Sequence, residues 1–193
     1  MKKHTVICLL FVFVVSKSLF AQVLFKEVSL GEQIEKSSLV LEGKVLLKKS
    51  FWNETHTKIY TVNTIEVYKV FKGEALSIVE VITPGGTVEL DAQIVTPSLK
   101  LNKDDTGVFT LYDSNAKLDN KIASVQKQFE PYGSLQGFYM YDINNDIAIN
   151  PFIIKHDISG SLYNEIKSYT KLDYIDVANF NLQEKSSVSS KSS

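Results

Sequence analysis

The chain has 193 residues, with 21 basic and 22 acidic side chains and a formal net charge of −1; every basic residue is a lysine. A near-neutral composition without arginine argues against a nucleic-acid binder, which needs a basic surface and usually arginine forks. The single cysteine, Cys8, falls within the first 21 residues, so the rest of the chain has no disulfide, thiol nucleophile or thiolate metal site.

Residues 1–21 read as a signal peptide. Lys2 and Lys3 form a positive start, Thr5 to Val15 an apolar run, and Ser16 to Ala21 a short segment ending in small residues, with cleavage expected between Ala21 and Gln22. The apolar run is about 11 residues, against the roughly 20 that a membrane span requires. No later stretch approaches that length. The expected product is therefore exported, periplasmic or extracellular, with no membrane span. Cleavage removes three lysines and no acid, leaving 18 lysines against 22 acids.

Residues 22–180 read as one β-rich domain. Ser29-Leu30-Gly31-Glu32 matches a capping box, and Leu30 and Ile34 sit four apart, so a short helix is expected to end near Ser37. Leu39, Leu41, Gly43, Val45 and Leu47 then alternate with Glu42, Lys44 and Lys48, the period-2 pattern of a half-buried strand. Ile59 to Phe71 is a second long strand, rich in Ile, Val, Thr and Tyr. Its apolar phase shifts near Asn63–Thr64, which predicts a β-bulge and a bend that helps a sheet close on itself.

Ile78 to Thr83 is a third strand, stopped by Pro84-Gly85-Gly86. A short strand at Val88–Leu90 and a loop around Pro97 follow, then a strand over Val108–Tyr112. Asp113 to Glu130 reads as a loop. Gly137–Ile143 and Ile147–Ile154 form a hairpin turned at Asn144-Asn145. Ser161 is the expected cap of a second helix, with Leu162, Ile166 and Tyr169 on one side. Residues 181–193 form a Ser-rich tail.

The order of helix, glycine-bearing curved strand, long strand ending in Phe-Lys-Gly, and further strands resembles the netrin-like fold of the tissue inhibitors of metalloproteinases. The similar residues are Ser38 to Val45, Tyr60 to Gly73 and Gly107 to Leu111. The chain also resembles a domain at the front of exported bacterial proteins, some of which carry a zinc-protease domain. Gly43-Lys44-Val45, Ser50-Phe51-Trp52, Ile59-Tyr60-Thr61, Lys72-Gly73, Thr83 to Gly86 and Gly133 to Phe138 carry that likeness. The resemblance implies a mostly β fold: an OB-like, netrin-like barrel, closed or partly open, with two short flanking helices. It does not bring the inhibitors' mechanism, because they chelate zinc through an N-terminal cysteine that has no counterpart here. No His-Glu-x-x-His occurs either.

The expected function is a non-enzymatic exported module that binds a partner protein, accessory to an exported protease or a neighbouring domain. Phe51, Trp52 and His56 in the first hairpin turn are the candidate contacts, since aromatics at a loop tip bury large areas on binding. The competing reading is that Trp52 folds back to plug the end of the barrel. Asp142, Asn144 and Asp146 open like a calcium loop, but Ile147 and Ile153 stand where an EF-hand needs a glycine and an acid, so a hairpin turn is favoured. His56 and His156, a hundred residues apart, suggest no metal site, and no cofactor is implied. Asn53-Glu54-Thr55 matches a glycosylation sequon by pattern alone. A glycan-binding barrel is the alternative function, and a small hydrolase with an unrecognised site a more distant one.

Overall fold

A computed structural model describes residues 25–119, 126–180 and 182. The expected signal peptide, its cleavage residues Ala21 and Gln22, and nearly all of the Ser-rich tail lie outside the described residues. Helix α1 (Leu30–Lys36) starts as the capping box requires, with Ser29 Oγ accepting from the Glu32 N–H at 3.2 Å. Ser37 closes it, its hydroxyl donating to the Gln33 carbonyl at 2.6 Å.

The fold is mostly β. Strands β1 (Leu39–Trp52), β2 (Ile59–Lys72), β3 (Ile78–Pro84), β6 (Thr106–Asp113) and β7 (Gln128–Pro131) form a ring in which β1 pairs with β2, β2 with β3, β3 with β7, β7 with β6, and β6 with β1. Only β3–β7 is parallel among these pairs. A small hairpin of β4 (Gly86–Val88) and β5 (Asp91–Gln93) interrupts the path from β3 to β6. Strands β8 (Phe138–Asp142), β9 (Ile147–Ile149) and β10 (Ile154–His156) extend the sheet outward from the first half of β6. Helix α2 (Tyr163–Thr170) and the short β11 (Ile175–Asp176) complete the described fold. No helix among the described residues is long and apolar enough to cross a membrane.

Alternation along the strands sends side chains to two cores. Leu39, Leu41, Val45, Ile65, Val67, Val79, Val81, Phe109, Leu111 and Phe129 fill the inside of the ring. Their neighbours Val40, Phe71, Val108, Tyr139 and Tyr141 face outward, where Leu30 and Ile34 of α1 and Tyr163 and Ile166 of α2 cover them. Burial on both faces explains one departure from the sequence pattern. Glu42, expected on a solvated face, is fully buried beneath the helical layer.

Leu47, expected on the apolar face, is 64% exposed. The register between β1 and β2 slips between Val45 and Leu47, opposite Ile65 and Thr64. The bulge expected within β2 near Asn63–Thr64 lies instead on the facing strand: β2 pairs with β3 without a break from Tyr60 to Glu66, and the extra residue is Leu46 on β1. Two further slips place Tyr68 and Phe71 as extra residues on β2. Together they supply the coil that a small ring needs.

Three other expectations change. The segment read as a loop to Glu130 contains β7, the strand that closes the ring. The expected strand at Val88–Leu90 is instead the β4–β5 hairpin, with Leu90 at its tip. Ser161 does not cap the second helix: Asp157 accepts from the Gly160 N–H at 2.8 Å, and a π-helical turn over Ile158–Leu162 leads into α2.

Candidate functional site

The candidate contacts in the first hairpin turn divide between core and surface. Phe51 is buried against Val62, Ile82 and Leu118. Residues 117–119 strap this turn, with the Glu54 N–H donating to the Lys117 carbonyl and the Asp119 N–H to the Trp52 carbonyl. Trp52 is half-buried and lies nearly parallel to the His56 ring, centroids 5.9 Å apart. His56 is exposed, in a left-handed backbone conformation, with Nε2 3.3 Å from the Asp119 carboxylate. The Asn53 carboxamide is spent on the turn: Oδ1 accepts from the Thr57 and Lys58 N–H groups, and Nδ2 donates to Thr55 and Thr57.

Asp142, Asn144 and Asp146 come together in the β8–β9 turn. The Asn145 side-chain amide, helped by backbone N–H groups, holds the Asp142 carboxyl below its usual range. Asp146 accepts from the Ile158 N–H at 3.2 Å, tying this turn to the start of the π-helical segment. These carboxylates serve the turn. Among the described residues no group of three His, Cys, Asp or Glu could hold a metal ion.

A second feature at the same end of the ring escaped sequence reasoning. The β4–β5 hairpin folds across the start of β2, where Gln93 Oε1 accepts from the Ile59 N–H at 2.7 Å and the Gly85 N–H donates to the Ile59 carbonyl. A chain of hydroxyls fixes its base. Thr61 Oγ1 donates to the Gly85 carbonyl at 2.7 Å, so its contact with Ser50 Oγ at 3.0 Å is donated by Ser50, which in turn accepts from the Thr87 N–H. Gly86, at φ 144°, packs against both hydroxyls.

Beneath this hairpin, at the mouth of the ring, lies a cleft of about 380 Å³, within the range of small-molecule sites. Thr61, Asn63 and Thr83 line it where the period of β2 and β3 would place apolar residues; Leu99 and Leu101 form its apolar side. Asn63 is fully buried. Its Nδ2 donates to the carbonyls of Val81 at 2.8 Å and Thr61 at 3.3 Å, and to Thr83 Oγ1. Because carbonyls only accept, the amide cannot be turned over, and its Oδ1 has no donor among the described residues. A buried acceptor left in that condition costs about 1–3 kcal/mol. The usable signal in the sequence was the run of polar residues on the inward phase beside Gly85-Gly86.

No protein-family model matches the chain, and no curated protein matches it.

Proposed function

We propose that the protein is an exported, non-enzymatic binding module on an OB-like, netrin-like barrel, and that it docks a partner protein with the end of the ring that carries the β1–β2 turn and the β4–β5 hairpin. The ring order, with one parallel pair between β3 and β7, supports the OB-like reading. The lysine-led apolar run ending at Ala21 supports export. The buried carboxylate of Glu42 is saturated by Lys69, Tyr141 and Tyr163, a structural use of charge.

One observation carries the docking surface. Leu90 is 100% exposed and Ile94 is 81% exposed, yet the hairpin that presents them is pinned at its base by the hydroxyl chain and by Gln93. Apolar side chains carried on a pinned backbone lose less entropy when a partner covers them than those on a free loop, which suits an apolar protein face. The test has two arms. N-terminal sequencing of the product released by the source cell is expected to start at Gln22. A partner recovered from that compartment, identified and titrated by calorimetry, is expected to lose about tenfold or more in affinity for the Leu90→Ser/Ile94→Ser variant. Equal affinity for both proteins places the contact elsewhere and removes this reading.

A further inference from the structure

Where the sheet continues beyond the ring as β8, β9 and β10, its two faces differ. Tyr141, Ala148 and Lys155 stand opposite one another across the three strands. Tyr141 and Ala148 are buried under the helical layer, and Lys155 Nζ binds the Glu165 carboxylate of α2 at 2.6 Å. Alternation sends their neighbours along each strand to the other face. There Met140, Ile149 and Ile154 form one cross-strand row, and Asp142, Ile147 and His156 form the next. Met140 is 42% exposed and Ile154 56% exposed, and His156 also lies in solvent. Single apolar side chains at a surface are ordinary, but a row of three on adjacent strands is a patch.

The two rows are complementary to themselves. A two-fold axis laid along β9, between two copies of this face, keeps each row at its own height and exchanges β8 with β10. Met140 then meets the second copy's Ile154, Asp142 meets its His156, and Ile149 and Ile147 each meet their own counterpart. Asn145 keeps the Asp142 carboxyl below its usual range, so it stays an anion and accepts from an imidazole N–H. A face with a carboxylate along one edge and an imidazole along the other is matched by its own copy turned over.

We propose that this face of β8, β9 and β10 is a contact between two copies of the chain, related by a two-fold axis along β9. Six side chains on each copy make a small interface, so the association is weak and reversible. It shares no residue with the docking surface at Leu90 and Ile94 and does not depend on it.

The experiment is sedimentation equilibrium of the folded protein over rising concentration, where the average mass is expected to climb from one chain toward two. Ile154→Lys and Met140→Glu change exposed positions, and each is expected to weaken self-association about tenfold or more, because it puts an unpaired charge into the contact. Mixed in equal amounts, the two variants are expected to associate again, since the axis sets the introduced ammonium against the introduced carboxylate. Leu90→Ser/Ile94→Ser is expected to associate as wild type does. A one-chain mass at every concentration, undiminished association of Ile154→Lys or Met140→Glu, no recovery on mixing, or loss of association in the hairpin variant overturns the proposal.

Discussion

Glu42 and Lys69 form an ion pair of 3.0 Å between β1 and β2, with both side chains withdrawn from water. The second oxygen of Glu42 accepts from Tyr141 at 2.8 Å and from the Tyr163 hydroxyl. Burial first, and then the Glu42 charge, push the ionisation of both tyrosines upward, so they remain donors. Lys69 Nζ also lies 5.8 Å from the Tyr163 ring, 5.7 Å from Tyr174 and 5.8 Å from Phe180. The pair thus joins the ring to α2 and to the C-terminal segment.

Breaking it from one side leaves a charge in the interior. Lys69→Met is expected to lose about 3–5 kcal/mol in urea unfolding. Glu42→Gln/Lys69→Met is expected to lose less than that single change, because no uncompensated carboxylate is left. If Lys69→Met unfolds at the wild-type urea concentration, the pair does not hold these layers together.

The two aromatics of the first turn are expected to separate by stability. Phe51 packs with Val62, Ile82 and Leu118, so Phe51→Ala will cost about 3–5 kcal/mol. Trp52 is half-buried against an exposed His56, and Trp52→Ala will cost about 1 kcal/mol. Thermal unfolding of the two variants checks the difference. Equal losses would mean that Trp52 is packed as firmly as Phe51 and is not a surface contact.

Tyr112 gives the alkaline limit a specific source. Burial, and then its bond of 3.0 Å to Glu130, push its hydroxyl up from 10.0 to about 12. The folded state holds this proton more tightly than the unfolded chain does. The associated stability is complete below pH 10.0 and is lost as pH rises toward about 12. Urea unfolding across that window is expected to show a steeper decline for wild type than for Tyr112→Phe, which cannot ionise. Parallel curves would remove Tyr112 from the transition.

Much of the frame could be read from the residues. The alternation of Leu39, Leu41 and Val45 and the Ser29 cap report local backbone geometry, which is what a pattern of side chains encodes. The apparent phase shift at Asn63–Thr64 instead marks polar residues on the inward face of an unbroken strand. Glu42 was misplaced because nothing near it in sequence reveals that Lys69, Tyr141 and Tyr163 converge on it from 27, 99 and 121 residues away. Strand β7 was missed because Gln128–Pro131 is four residues long, with Phe129 as its one large apolar side chain. It exists because β3 and β6 offer edges on both sides. The cleft was hidden for a related reason: Thr61, Asn63 and Thr83 look like ordinary strand polarity until the ring shows that they face inward.

Gly86 links the turn chemistry of the sequence to the shape of that cleft. Its φ of 144° suits glycine, and a Cβ there would collide with the hydroxyls of Ser50 and Thr61 that fasten the hairpin. Gly133 is the control: its φ is 70°, but a Cβ there meets nothing nearer than Gln136 at 3.5 Å. Gly133→Ala therefore carries backbone strain alone, about 1 kcal/mol. Gly86→Ala adds the collision and is expected to cost about 2–3 kcal/mol. It is also expected to free the hairpin, so limited proteolysis will cut within residues 88–91 faster than in wild type or Gly133→Ala. If the two variants lose equal stability and are cut at the same rate, the hydroxyl chain does not anchor the hairpin and the cleft has no fixed roof.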